Sequence, residues 1–296
     1  MNSAFYREET RSGFLVTEKR KKIWATELQL LEKFDEVCRK HQLTYYVDYG
    51  TLLGAIRHRG FIPWDDDIDV VMFRDDYNRL LSIAADEFKS PYFFQNTYTD
   101  SIINTLSKLR DSRTTAIQFP NNKSLNQGIF IDIFPLDDVP YGDEDSTILD
   151  IEKEFWLSII RPMDILNAYK DEQKLFLKED ILFHLLKMDV PQRLKEFETF
   201  ALTHFGKSEY VNFITDELFG GPSSTKREWY EDTVYLPFEY IEIPAPAGYE
   251  QILTRRYGNW HQFVQGGSSH ERILLDPDIP YTYYIELWEA NKNLFQ

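Results

Sequence analysis

Asp67 and Asp69 lie one residue apart in "FIPWDDDIDVVMF" (61–73), at the mouth of an apolar run. In a strand, residues i and i+2 share a face with Cα atoms roughly 7 Å apart. The pair therefore projects one way, while Ile68 and Val70 face the other. Two carboxylates so placed, joined by a third from a neighbouring strand, make a hard oxygen site suited to Mg²⁺ or Mn²⁺. Asp132 is the natural third, a lone charge among the alternating isoleucines and phenylalanines of "GIFIDIF". An unpaired carboxylate inside an apolar strand is costly, so it calls for a partner cation. A divalent ion would turn repulsion within "DDDID" into ligation. A solvated loop ending in a helix cap has the same composition, but Asp69 sits past Ile68 and leads straight into "VVMF". Asp65 and Asp66 stay open between a second metal and a loop role.

Phosphate chemistry is the second signal. In "DYGTLLGAIRHRG", Gly50 and Thr51 form a turn between a strand and a short helix, where backbone can approach a phosphate and a helix N-terminus favours the anion. Positive charge for that phosphate should come from Arg57, His58, Arg59, Lys108 and Arg110. Lys108 and Arg110 alternate on a strand and so share a face, although a solvated surface strand has the same pattern. Arg255 and Arg256 read first as charges complementing the C-terminal end of a helix dipole.

Several elements must position these groups. Residues 23–40 place Trp24, Leu28, Leu31, Phe34 and Cys38 at helical spacing with charges opposite. The spacing predicts a β-prone run at Leu43–Val47, a helix at Leu52–Arg57, a strand at 68–73 and a helix capped by Asp75 or Asp76. "YFFQNTYTD" reads as a strand, "INTLSKLRDSRTTAIQF" as a strand pair and "GIFIDIFPLDDV" as an interior strand. Residues 145–205 are periodic and helical with a break at Pro191. Beyond them come a β-like segment, a Pro-Ala-Pro turn, a helix ending near Gly258 and a tail without clear organisation.

The 296 residues fit one large domain or two ordinary ones. A net charge of −16 argues against a nucleic-acid partner. Cys38 is the single cysteine, so neither an internal disulfide nor a cysteine zinc site is expected. No signal-peptide core and no apolar run of about 18 residues is found, and a cytosolic chain without a transmembrane segment is expected.

The segments "YYVDYGTLLGAIRHRGFIPWDDDIDVVMFRDDY", "KLRDSRTT", "GIFIDIFPLDDV" and "IPAPAGYEQILTRRYGNW" together resemble the LicD family, bacterial phosphorylcholine transferases related to fukutin-type ribitol-phosphate transferases. The resemblance implies an α+β, nucleotidyltransferase-like fold: a mixed β-sheet core flanked by helices, with a largely helical C-terminal part. Residues 1–140 would form the catalytic core and 141–296 a helical region completing the substrate site. It implies a CDP-linked donor, CDP-choline in that family, whose phosphorylcholine passes to a hydroxyl of a glycan or teichoic acid precursor as CMP leaves. Asp67 and Asp69 would hold Mg²⁺ (or Mn²⁺), with Asp132 a further ligand or the general base. Gly50, Thr51, Arg57, His58, Lys108 and Arg110 would face the donor. A choline group would need aromatic walls, for which Trp64, Tyr49 and Trp229 are candidates and Glu239 an opposing carboxylate. A lipid-linked acceptor would bring the enzyme to the inner face of the membrane. The competing expectations are a true nucleotidyltransferase releasing pyrophosphate and a non-catalytic ligand-binding protein.

Overall fold

A computed structural model describes residues 3–100, 103–139, 146–171, 175–216, 223–267 and 273–291. Strands β1 (Glu9–Arg11) and β2 (Phe14–Val16) form a hairpin whose turn, Ser12-Gly13, has φ of 52° and 81°. Thr17 then caps helix α1 (Glu18–His41), its side chain accepting from the Arg20 N–H. The expected apolar stripe of α1 is its core face: Trp24, Leu28, Leu31 and Phe34 are buried. Each of these contributes about 1.5–3 kcal/mol by leaving water.

After α1 the chain runs through β3 (Tyr46–Val47), α2 (Tyr49–His58), β4 (Asp69–Phe73), α3 (Arg74–Glu87) and β5 (Tyr92–Gln95). Strands β6 (Ser107–Asp111), β7 (Thr115–Ile117) and β8 (Ile129–Val139) follow. Helices α4 (Ser146–Ile160), α5 (Pro162–Lys170), α6 (Glu179–Lys187) and α7 (Val190–His204) form a helical region with its own core around Trp156, Leu182 and Phe197. Next come β9 (Tyr210–Asn212), β10 (Thr225–Lys226), the hairpin β11 (Thr233–Phe238) and β12 (Ile241–Pro246), α8 (Tyr249–Tyr257), β13 (Leu274–Asp276) and α9 (Tyr281–Asn291).

The main sheet is mixed and centres on β8. It pairs parallel to β4 and antiparallel to β6 along its first half, and antiparallel to β9 at its end. Strand β3 extends the sheet from β4, β5 from β6, and β10 from β9. Every residue of β8 except Phe134 is buried, as its two-faced apolar pattern predicts. The sheet continues past the expected core through β9 and β10. The boundary expected at residue 140 lies outside the described residues.

Tertiary contacts override local expectation in several places. Gly50 and Thr51 belong to the first turn of α2 rather than to a turn before it, because Asp48 supplies the N-cap. Helix α3 starts from Phe73 without a side-chain cap, and Asp75 and Asp76 fall in its first turn. The strands within 103–119 do not pair with each other: β6 joins the main sheet while β7 pairs with β13. Pro244 and Pro246 sit in β12, whose single partner in the ladder is β11, so the missing N–H groups are tolerated where a turn was expected. Pro191 opens α7 behind a capping box of Asp189 and Gln192. The tail is organised as β13 and α9. No helix among the described residues is long and apolar enough to cross a membrane.

Candidate active site

Sheet register assembles the site. Parallel pairing of β4 with β8 sets Asp69 opposite Asp132, and antiparallel pairing of β6 with β8 sets Lys108 opposite the same Asp132. One row across three strands thus carries cation, carboxylate, carboxylate. The Lys108 ammonium is salt-bridged to Asp132 Oδ1 and stands 3.8 Å from the Phe130 ring centroid.

Asp69 is held by its backbone, which leaves its side chain to face the row. Its N–H donates to Thr51 Oγ1 at 2.8 Å and its carbonyl accepts from the Asp48 N–H at 3.2 Å. Asp132 N–H donates to the Ile68 carbonyl at 2.9 Å, locking the two strands at the point where both carboxylates emerge. The first turn of α2 therefore sets the position of Asp69, which is the direct structural work of Thr51. Gly50 leaves room for the acidic loop: a Cβ there would lie 2.9 Å from Asp65 Oδ2.

Helix α1 grips that loop from the other side. Arg20 Nη1 and Trp24 Nε1 donate to the Asp65 carbonyl at 2.8 and 2.9 Å, and Arg20 lies 3.8 Å from Asp66 Oδ2. Glu27, one turn further along α1, is buried with its Oε2 lacking a hydrogen-bond partner.

The acidic cluster is under electrostatic stress. Burial, then the charges of Asp67, Asp132 and Asp65, push the Asp69 carboxyl well above the usual range, against the opposing pull of Lys108. Burial and Asp67 raise the Asp65 carboxyl to about 8. A carboxyl whose folded pKa exceeds its unfolded value binds more protons when folded, so stability falls as pH rises from the unfolded pKa to the folded one. The metal-free protein is accordingly expected to lose melting temperature between about pH 4 and pH 8, in the window that Asp65 spans. Burial likewise pushes Glu152 up to about 9 and adds to the same slope, so the specific check is Asp65→Asn. Thermal melts in EDTA across that window should be flatter for this variant by close to one proton. An unchanged slope would remove Asp65 from the account.

A buried network that the sequence does not disclose backs the site. Asp48 is fully buried and accepts from the Tyr49 N–H at 2.7 Å, Tyr230 Oη at 3.1 Å and Arg256 Nη2 at 3.0 Å. The Arg256 guanidinium lies 4.2 Å from the Tyr49 ring centroid, and Tyr49 Oη donates to Asp216 at 2.8 Å. Arg256 is thus a buried counter-ion from α8 rather than a solvated helix-end charge.

The remaining sequence candidates are spread more widely. Arg110 shares the face of Lys108, but its guanidinium is buried and donates to Gln95 Oε1, the Gly128 carbonyl and Gln118 Oε1. Arg57 and His58 lie at the far end of α2. Arg57 donates to the Gln262 carbonyl, and His58 packs near Trp64 and Phe263, its pKa lowered by burial and by Arg57. Arg59 caps α2, and its carbonyl accepts from the Glu239 N–H. Glu239 is taken by Arg11 and by the Phe61 N–H, so it is not an open partner for a choline cation. Tyr49 likewise has a ring face covered by Arg256, whereas Trp64 makes an edge contact with Phe263 at 5.4 Å. Trp229 packs at the start of α8, where a Cβ on Gly248 would meet its Cβ at 2.5 Å.

The donor set is one that suits a hard divalent cation: carboxylate oxygens whose mutual repulsion an ion would relieve. Among the described residues no three such side chains converge on one point, because Asp132 turns to Lys108 instead. Asp67, just before β4, and Asp69 lie beside this ion pair, and their charges raise each other's cost.

Comparison with known proteins agrees with this architecture. A family model described as the LicD/FKTN/FKRP nucleotidyltransferase domain matches residues 42–192, the span from β3 through the start of α7. The lipopolysaccharide cholinephosphotransferase LicD of Haemophilus influenzae is 29% identical over 241 residues, covering 79% of this chain and 88% of that protein. An uncharacterized protein of Rickettsia prowazekii is 33% identical over 112 residues, 38% of this chain and 39% of its own. With Asp69, Asp132 and Lys108 in one row of the sheet, Asp67 just before β4, and all four inside the matched span, the chain belongs to the LicD/FKTN/FKRP nucleotidyltransferase-domain family.

Proposed function

We propose that this protein transfers phosphorylcholine, or a similar phosphoalkyl group, from a CDP-linked donor to a hydroxyl of a cell-surface glycan precursor, releasing CMP. The observation that carries the reading is the in-register row Lys108–Asp132–Asp69 with Asp67 beside it. The name of the Haemophilus relative, a lipopolysaccharide cholinephosphotransferase, supplies the substrate class. Lipopolysaccharide or teichoic acid precursors fit as acceptors, and a lipid-linked one would bring the protein to the inner face of the membrane.

In this reading the acceptor oxygen forms a bond to the phosphorus that carries choline. The bond from that phosphorus to the bridging oxygen breaks, and its electron pair leaves with CMP. Asp67 and Asp69 would hold Mg²⁺ or Mn²⁺, which supplies charge stabilisation at the donor diphosphate. Lys108, set at the edge of the carboxylates, is the protein's own cation for the same phosphates. Lys108 engages Oδ1 of Asp132, which orients the second oxygen of that carboxylate to take the proton from the acceptor hydroxyl. The backbone bonds of Thr51 and Asp48 hold Asp69 within the tolerance that such positioning needs.

Incubation with CDP-choline, Mg²⁺ and a lipopolysaccharide or teichoic acid acceptor tests the proposal. CMP release together with a new choline phosphodiester in the acceptor is the expected result. Pyrophosphate release from CTP, with CDP-choline inert, would replace it with ordinary nucleotidyl transfer. Lys108→Met is expected to lower kcat/KM by about 10²–10³-fold, read in the same CMP-release assay. A loss below about threefold would exclude Lys108 from the phosphate site.

A further inference from the structure

Glu27 has no role in the chemistry above and no evident role in folding. It belongs to the face of α1 that covers the acidic loop, following Arg20 and Trp24 at helical spacing, and both of those donate to the Asp65 carbonyl. The side chain is 2% exposed and its Oε2 has no hydrogen-bond partner. A buried acceptor left unsatisfied costs about 1–3 kcal/mol. The charged groups that face it deepen the cost: Asp66, Asp67 and Asp65 in order of influence, with Arg20 opposing. Leucine at this position would suit the core face of α1 better on every folding term.

We propose that Glu27 is an acidic ligand for a second divalent cation, bound on the α1 side of the loop together with Asp65 and Asp66. The proposal rests on the assignment of Asp67 and Asp69 as ligands of the first cation. Oxygen donors from three carboxylates suit Mg²⁺ or Mn²⁺. The loop has a reason to move toward such an ion, since as placed here its carboxylates repel rather than converge. Arg20, 3.8 Å from Asp66, is the group the ion would displace. This division also gives Asp65 and Asp66 a task distinct from that of Asp67 and Asp69, and it explains four acidic residues within five positions.

Mn²⁺ alone, titrated into the full-length metal-free protein and followed by electron paramagnetic resonance, tests the site without any donor or acceptor. Wild type is expected to bind two ions per chain. Glu27→Gln, which preserves shape, is expected to bind one, with the second site weakened at least about tenfold, and to melt higher than wild type in EDTA. Glu27→Asp, one methylene shorter, should keep both ions with the second held more weakly. Two ions bound equally well by Glu27→Gln, or a single site in wild type that Glu27→Gln leaves unchanged, would overturn the proposal. Phosphoalkyl transfer is read separately from CMP release. A protein that binds two ions but does not turn over CDP-choline would sink the proposed function and leave this site standing.

Discussion

Asp69→Asn is expected to lower turnover by about a thousandfold or more while raising the melting temperature of the metal-free protein. The two effects have one cause. Every interaction that positions residue 69 is made by its backbone: the N–H to Thr51 Oγ1 and the carbonyl to the Asp48 N–H. Neither is lost when the carboxylate becomes an amide. What is lost is a half-buried charge at the start of β4, opposite Asp132 and near Asp67, that its surroundings disfavour. For a carboxyl raised in the folded state, the cost to stability grows with pH from its unfolded pKa to its folded one. The gain in melting temperature should therefore be absent near pH 4 and grow as the pH rises above it. In saturating Mn²⁺ the order should reverse, since wild type alone gains the full binding energy of the ion. Removing one oriented electrostatic group from a phosphoryl-type transition state costs about 10²–10³-fold, and loss of the ion proposed to be held with Asp67 would add to that. Melts in EDTA and in Mn²⁺, paired with CMP-release rates, measure all three outcomes. A variant that is less stable than wild type without metal would show that Asp69 is a structural carboxylate instead. Asp132→Asn gives the contrast: it breaks the Lys108 ion pair and should destabilise the metal-free protein.

The same contrast explains how much of this site could be read from the sequence. Asp69, Asp132 and Lys108 announce themselves because each is a charge set in an apolar strand, where alternation fixes the face it occupies, whereas Asp67 lies in the loop just before β4 and alternation does not fix its face. The mixed sheet and the long interior strand β8 follow from the same periodicity. Arg110 obeys the same rule as Lys108 and shares its face, yet its donors go to Gln95, Gly128 and Gln118, partners that no local pattern specifies. Glu27 is masked for the opposite reason. It sits in an amphipathic helix where a glutamate is expected to be solvated, and only the packing of α1 onto the acidic loop buries it. Gly50 stands out as a glycine for the wrong reason. Its missing Cβ makes room for Asp65 Oδ2 across the loop, a contact set by the tertiary approach of two segments rather than by a turn. Asp48 was hidden most completely, as one polar residue just after a β-prone run, because its counter-ion enters from α8, 208 residues away in the chain.

That counter-ion gives the largest stability effect expected of any single change near the site. Asp48 has no exposed surface and Arg256 is only 5% exposed in its side chain. Burial disfavours the guanidinium charge, but Asp48, Tyr49 and Tyr230 around it outweigh burial and hold it more firmly protonated than usual. Arg256→Ala leaves the Asp48 carboxylate in place with the Tyr230 hydroxyl and the Tyr49 N–H but no balancing charge. Breaking a buried pair by removing one partner costs about 3–5 kcal/mol, and urea unfolding should show a loss of that size. Asp48→Asn in the Arg256→Ala background should restore part of it, since the stranded charge is then gone. The double-mutant cycle should return a coupling of at least about 1 kcal/mol. Arg256→Lys should rescue poorly, because an ammonium lacks the planar group that lies over the Tyr49 ring while reaching Asp48. The loss also reaches the chemistry. The Asp48 N–H holds the Asp69 carbonyl, so freeing the start of α2 loosens the backbone that carries Asp69, the proposed metal ligand. The Arg256 variants should accordingly lose affinity for Mn²⁺ even where enough folded protein remains to measure it. Arg256→Ala that unfolds at wild-type urea and binds Mn²⁺ at wild-type strength would mean that Asp48 does not depend on its counter-ion, and that the first turn of α2 is set by β4 alone.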